Sequence, residues 1–570
     1  MTFSDTKSFR TNPPGSLRPA LDYEPQVLRF GTSGRRGEVV HLTQLEIYIN
    51  ALAELRYLQS LPLSDGGIVP GDDFYFAYDL RPSSTSFVKE ANGRGEIAQA
   101  IVRAVSDAGM KPVNLGDLPT PALTSYALSR AKGSIMITGS HIPFDRNGYK
   151  TNTSRGELLK KHEMSIGAKV EEVRAALYAQ PSEQSLFNER GLFQAGHSEL
   201  PPAISAARSA YIARYTNFFR GDSLGGMRLA FYQHSSVGRD LVPEILRQLG
   251  AEVIVAGRSD TFVPIDTENI DAAQLAIIQG LADEAIARHG YIDAVISTDG
   301  DSDRPLVLGV DRSTGKVHFF GGDLLGMVVA EFLGADAVVV PISCNDAIDR
   351  GPLASVLQPK TKIGSPFVIA GMEKAMEAGK KAVCGWEANG GFLTGSDFER
   401  DGKTLTALPT RDAVLPILGV LFSASAKGLS LIDLFARLPR RFSRAALLKN
   451  FPRPAGLEIV KRFSPSDSAV EEIHFDGQRP GDEAIAIRGN LEQFFSAKRG
   501  FSPVVKLNYI DGVRMTFANG EVAHLRPSGN ADEFRIYAVA DTLARAEEIT
   551  SQGIAESDGI LREIEAAICE

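Results

Sequence analysis

Asp299-Gly300-Asp301-Ser302-Asp303-Arg304-Pro305 sets three carboxylates at every second position, with an arginine directly after them. A bent loop can aim acids spaced this way at one point. Three hard oxygen donors suit a magnesium-sized cation better than a soft metal. Arg304 stands where it can neutralise one acid or reach a phosphate. An EF-hand calcium loop fails on the same residues, because its sixth position needs glycine and holds Arg304, and its twelfth needs glutamate and holds Val310. The alternative left is a solvated acidic turn.

The loop follows the β-branched run Ala294–Ser297, one of several short apolar runs along the chain. Phe74–Tyr78, Gly133–Thr138, Ala251–Ala256, Ala337–Pro341 and Lys381–Cys384 are the others. Between them, Glu96–Ala108, Met164–Tyr178, Pro202–Asn217, Arg239–Leu249, Ala272–Ala287 and Phe367–Ala378 carry helical periodicity. Alternation of strand and helix predicts an α/β chain whose sheets are covered by helices. Beyond residue 445 the character changes. Strands predicted at Ala484–Ile487, Leu507–Asp511, Gly512–Phe517 and Glu533–Val539 precede one terminal helix from Thr542, a smaller α+β domain.

At 570 residues the chain is too long for a single core, which stops growing at ~250–300 residues. Seams are expected near 200, 315 and 445, dividing the chain into domains 1-200, 201-315, 316-445 and 446-570. Residues 1–28 read as an extended lead-in and residues 180–202 as a linker. A formal net charge of −9 argues against a nucleic-acid partner, while local arginine clusters still admit small anions. Cys344, Cys384 and Cys569 form no CxxC pair, which points to a reducing compartment. No apolar run approaches the ~20 residues of a membrane helix, and the N-terminus lacks the order of a secretory signal. The expectation is a cytoplasmic protein with no membrane partner.

Four more segments carry chemistry. In Gly133-Ser-Ile-Met-Ile-Thr138-Gly139-Ser140-His141-Ile142-Pro143 an apolar strand runs into a turn bearing a serine and a histidine. A serine hydrolase elbow would need glycine where Ile142 stands. Asn147-Gly148 predicts a turn that returns Lys150 towards the serine. Arg29-Phe-Gly31-Thr32-Ser33-Gly34-Arg35-Arg36-Gly37 is a glycine-rich turn with three arginines, suited to an anion or simply solvated. Arg526-Pro-Ser528-Gly529-Asn530 followed by Arg535 offers two guanidiniums, a hydroxyl and an amide, a phosphate cradle or a polar hairpin. In Trp386-Glu387-Ala388-Asn389-Gly390-Gly391, Glu387 and Asn389 alternate along an extended turn and suit vicinal sugar hydroxyls, whereas the single tryptophan fits a core position better than a sugar platform.

Together and in this order, these segments resemble the α-D-phosphohexomutase superfamily of phosphomannomutases, phosphoglucomutases and amino-sugar mutases. Asp79-Leu-Arg81-Pro-Ser83, Pro119-Thr-Pro-Ala122 and Thr361-Lys362-Ile-Gly364 are weaker matches. The resemblance implies a heart-shaped enzyme of four domains, three related α/β units and a C-terminal α+β unit. It implies Ser140 as the phosphorylated residue, with Arg35, His141 and Lys150 serving proton transfer and charge. Mg²⁺ would be held by Asp299, Asp301, Asp303 and Ser140. Arg304, Thr361, Gly364, Glu387 and Asn389 would bind the sugar phosphate, and Arg526, Ser528, Gly529, Asn530 and Arg535 its second phosphate. The implied reaction interconverts hexose 1-phosphate and hexose 6-phosphate through hexose 1,6-bisphosphate, in a monomer or homodimer. Phosphomannomutase or phosphoglucomutase activity is the first expectation. An N-acetylglucosamine or glucosamine phosphate mutase and a non-catalytic sugar-phosphate-binding protein are the alternatives. Gly139, Ile142, Ser365 and Asn530-Ala-Asp532 depart from the family pattern and bear on the choice of sugar.

Overall fold

The computed structural model describes residues 15–31, 34–268, 270–475, 480–527, 532–556 and 558–569. The chain divides into two compact units, Met1–Tyr211 with Ser235–Gly238 and Asp260–Pro264, and Ile212–His234 with Arg239–Ser259 and Ile265–Glu570. Both are mixed α/β, as the alternating pattern predicts.

In the first unit the sheet runs Arg35–Glu38, Arg146–Thr153, Ser134–Ile137, Asp73–Tyr78, Lys111–Asp117. The three strands Ser134–Ile137, Asp73–Tyr78 and Lys111–Asp117 are parallel, and Arg146–Thr153 runs against its neighbours. Helix Gln44–Ser60 is buried along most of its length, its first turn capped by Thr43, which accepts from Glu46 N–H. Glu46 and Glu54 are tolerated inside because each meets an arginine: Arg174 binds both Glu46 oxygens at 2.6 Å, and Arg35 Nε binds Glu54 at 2.6 Å.

Two expectations change here. Asn147-Gly148 lies inside the strand Arg146–Thr153 rather than in a turn. Glycine is needed there for close approach, since a Cβ would stand 1.9 Å from the Arg35 carbonyl oxygen. Residues 180–202 are not a loose linker either. Phe187 and Phe193 stack at 4.8 Å and belong to the core of this unit.

The second unit holds three larger sheets. A five-stranded one runs Glu252–Arg258, Arg228–His234, Ala294–Thr298, Pro305–Val310, Val317–Phe319. A four-stranded one runs Ala337–Val339, Val383–Trp386, Phe392–Thr394, Leu408–Asp412. The third, six-stranded and antiparallel, begins with Phe442–Lys449 beside Glu533–Ala540. Strand Val317–Phe319 lies past the seam expected at 315 yet pairs back onto Leu308–Val310, and Phe442–Lys449 spans the one at 445 and pairs with the distant Glu533–Ala540. Ala484–Ile487, expected as a strand, lies in helix Asp482–Phe494, whose Ile487 and Leu491 are buried at helical spacing. The single terminal helix is two, Leu543–Ile554 and Ile560–Cys569.

Candidate active site

The serine loop is built from its neighbours in the first unit. Arg81, fully buried, donates to the carbonyls of Ser140 (2.9 Å), Ile142 (2.5 Å), Pro143 (2.7 Å) and Arg146 (2.8 Å). Asp79 orients Arg81 and accepts from Thr138 Oγ1 at 2.7 Å. Five held carbonyl and hydroxyl groups over-determine the turn, so Ser140 keeps a left-handed φ of +57°. Its side chain is buried and its Oγ lies 3.4 Å from His141 Nδ1. The short Asp79-Leu-Arg81-Pro-Ser83 match is therefore the scaffold of the serine loop.

Arg35 is engaged inside the first unit. Its guanidinium is bound to Glu54 and to the Leu28 carbonyl, and only 5% of the residue is exposed. Strand alternation turns Arg36, half-buried, to the opposite face. Arg36 is thus the better candidate for a charge role. Lys150 is buried at 8% exposure, with Gly34 packed on its stem: a Cβ there would lie 3.1 Å from Lys150 Cγ. Thr32 and Ser33 lie outside the described residues.

In the second unit the metal loop joins the antiparallel strands Ala294–Thr298 and Pro305–Val310. Asp299 Oδ1 accepts from the N–H groups of Asp303 and Arg304, both at 3.1 Å, and Ser302 takes a left-handed φ of +56°. Asp299, Asp301 and Asp303 are buried and bring ligand oxygens within 4.8 Å of one another. Arg304 Nε stands 3.6 Å from Asp303 and 4.0 Å from Asp299. So dense a set of buried carboxylates fits a small divalent cation.

The sugar loop is a tight turn, closed by Gly390 N–H to the Glu387 carbonyl at 2.9 Å. It packs on Gly322, where a Cβ would sit 2.2 Å from Gly390 N. Arg411, absent from the sequence reading, ties it to the metal loop. Its Nη1 donates to Glu387 at 3.0 Å, and its Nη2 and Nε donate to Asp303 at 2.8 and 3.1 Å. Thr267 Oγ1 fastens a further segment by donating to the Asn389 carbonyl at 2.8 Å. Trp386 is core, stacked on Phe392.

Arg526 and Arg535 lie directly opposite each other on antiparallel strands. Like charges so placed repel unless something negative joins them. Asp511, also missed in sequence, accepts from Arg526 Nε and from the Ile363 N–H, both at 3.0 Å, and so joins the Thr361–Gly364 loop to this place. Gly364 takes a φ of +131° ahead of helix Ser365–Glu377. Ser528, Gly529 and Asn530 lie outside the described residues. Near Arg535 stands Glu268, whose carboxyl burial and the neighbouring Asp266 push up to about 7. Nothing in the spacing of Asp266-Thr267-Glu268 marked it.

The chain matches the model of phosphoglucomutase/phosphomannomutase α/β/α domain I over residues 27–176, and that of domain III over residues 321–442. It is 38% identical to a phosphomannomutase of Sinorhizobium fredii (strain NBRC 101917 / NGR234), covering 92% of this chain and 98% of that one. A phosphomannomutase of Salmonella muenchen is 34% identical over 90% of this chain and 92% of its own. Among solved structures, a phosphoglucomutase/phosphomannomutase family protein from Burkholderia thailandensis superposes with a TM-score of 0.61 at 17% identity, covering 95% of this chain and 98% of that one. The parafusin phosphoglucomutase of Paramecium gives 0.55 at 15% identity, covering 95% and 96%. Among the described residues no helix is long and apolar enough to cross a membrane. With two curated relatives above 30% identity along nearly their whole length, the chain belongs to the phosphoglucomutase/phosphomannomutase family of the α-D-phosphohexomutases and is a mutase.

Proposed function

We propose that this mutase moves a phosphoryl group between the 1- and 6-hydroxyls of a hexose, with mannose phosphate as its preferred substrate. The observation that carries the reading is that the second unit sets three buried acids beside Arg304 and two arginines, Arg526 and Arg535, directly opposite each other on neighbouring strands. We read the first, once a cation joins it, and the second as the two places for an oxyanion. A hexose bisphosphate needs both. The names of the two curated relatives support mannose.

In the proposed reaction Ser140 carries the phosphoryl group. A sugar hydroxyl oxygen forms a bond to phosphorus as the bond to Ser140 Oγ breaks; the hydroxyl proton leaves to His141 or Lys150, and a proton goes to the freed Ser140 Oγ. The resulting hexose 1,6-bisphosphate turns, and its other phosphate returns to Ser140. Supplied from outside, the same bisphosphate loads Ser140 and acts as activator. Mg²⁺, for which Asp299, Asp301 and Asp303 supply the acids, would neutralise the transferring oxygens. Arg411 keeps Asp303 and Glu387 in fixed relation, so the sugar hydroxyls are read next to the metal acids. Arg36 replaces Arg35 as the arginine near the serine chemistry. The buried thiols of Cys344 and Cys384 support the cytoplasm as its compartment. We keep the division into four domains, with the seams moved past residue 319 and ahead of residue 442.

The test is a Mg²⁺-dependent turnover panel on the 1-phosphates of mannose, glucose, glucosamine and N-acetylglucosamine, primed with hexose bisphosphate. Highest kcat/KM on mannose 1-phosphate is expected. Preference for an amino sugar would overturn the substrate, and no turnover on any would overturn the reaction.

A further inference from the structure

The segment Ile265–Glu268 is held firmly against the sugar loop. Ile265 and Thr267 are each 1% exposed, and Thr267 Oγ1 donates to the Asn389 carbonyl at 2.8 Å. The Glu268 N–H donates to Asp266 Oδ1 at 3.2 Å, closing a tight bend. Asp266 Oδ1 then lies 4.0 Å from Arg304 Nη1. Glu268 meets the electrostatic field of Arg304 from the metal loop, Arg535 and Tyr537 from the C-terminal sheet, Glu387 from the sugar loop, and Cys344. Among the described residues its carboxylate has no hydrogen bond and no ion pair within 4.0 Å. It lines a cavity of about 700 Å³ together with Ala388 and Tyr537. A carboxylate placed beside two arginines, yet bound to neither, stands where an oxyanion on those arginines would feel it.

We infer that Glu268 is a tuning residue of the mutase: its negative charge opposes sugar phosphate at Arg535 and Arg304 and keeps the bisphosphate exchangeable between its two orientations. The inference rests on the two oxyanion places proposed above. The physical reason is that uniform tight binding does not speed a reaction whose intermediate must let go and rebind. Arg304, Arg526 and Arg535 together would hold a bisphosphate strongly, and a fixed carboxylate weakens that hold. The charge is adjustable, because burial and Asp266 push this carboxyl up to about 7. A bound phosphate favours the protonated form, so substrate binding above pH 7 takes up a proton, and affinity falls as pH rises.

The experiment is steady-state kinetics of the full chain between pH 6 and 8.5, primed with hexose bisphosphate, on wild type, E268Q and E268D. In parallel, calorimetry follows inorganic phosphate binding to the same proteins. For E268Q at pH 8, KM is expected to fall by about three- to tenfold, the effect of removing one partly screened charge. Its kcat is expected to fall as well, because release slows, and phosphate is expected to bind more tightly by a similar factor. The gap from wild type should close towards pH 6, and E268D should keep the wild-type pH dependence. A raised KM in E268Q, or a KM and phosphate affinity equal to wild type at pH 8, would overturn the inference. Should wild type turn over none of the sugars, the reaction reading fails by itself, and the phosphate titration still decides the role of Glu268.

Discussion

Replacing Arg411 by glutamine removes a cation that touches both Asp303 and Glu387, and the structure sets the size of the effect. Three of its nitrogens donate to these acids at 2.8–3.1 Å, and Asp303, Glu387 and Arg411 are all nearly inaccessible to water. Around them Asp299, Asp301, Asp303 and Glu387 face Arg304 and Arg411, so the substitution leaves four carboxylates with one guanidinium. Breaking a buried ion pair costs about 3–5 kcal/mol, since the partner stays buried without compensation. At about 2–4 °C per kcal/mol for a folding unit of ~150–250 residues, thermal unfolding of R411Q in EDTA should begin roughly 10 °C lower than wild type. The more negative triad should then bind Mg²⁺ more tightly and gain more from it, because a ligand of the native state stabilises by RT ln(1 + [L]/Kd). Melting curves of both proteins in EDTA and in excess Mg²⁺ give the four values needed. R411K should recover part of the loss in EDTA, having the charge without the fork. An R411Q midpoint within about 2 °C of wild type in EDTA, on the same scale, would refute the idea that Arg411 compensates buried acids. An equal Mg²⁺ shift in both proteins would refute its link to the metal loop.

Two further outcomes are expected. Gly322→Ala drives a Cβ to within 2.2 Å of the Gly390 nitrogen, so the sugar loop must move; kcat/KM should fall ~100-fold, as misplacement by about 1 Å does, and an unchanged value would show that the loop does not position substrate. His524 is buried, and burial holds its imidazole down to about 4 from an ordinary 6.5. Between those values the unfolded chain binds a proton that the folded one does not, so stability is whole above pH 6.5 and lost as pH falls towards 4. Urea melts at pH 7.5 and 5 should show wild type losing about 2 kcal/mol more than His524→Asn, and equal losses would contradict the assignment.

The chemistry of the loops was legible in the chain because it is local. Asp299, Asp301 and Asp303 are close in sequence, and so are Glu387 and Asn389, so identity and spacing already state what they can bind. The alternation of apolar runs and amphipathic stretches gave the α/β class for the same reason. Asn147-Gly148 misled because its glycine answers to the Arg35 carbonyl on the neighbouring strand, not to a turn of its own. Ala484–Ile487 misled because four apolar-rich residues fit either period, and the burial of Ile487 with Leu491 decided for helix. What holds the site was decided only in three dimensions. Arg411 reaches Asp303 across 108 positions, Asp511 joins Ile363 to Arg526 across 148 and 15, and Glu54 binds Arg35 across 19. A sequence states which charges a loop carries. Which of them are compensated, and by what, depends on burial and on partners that only folding brings within reach.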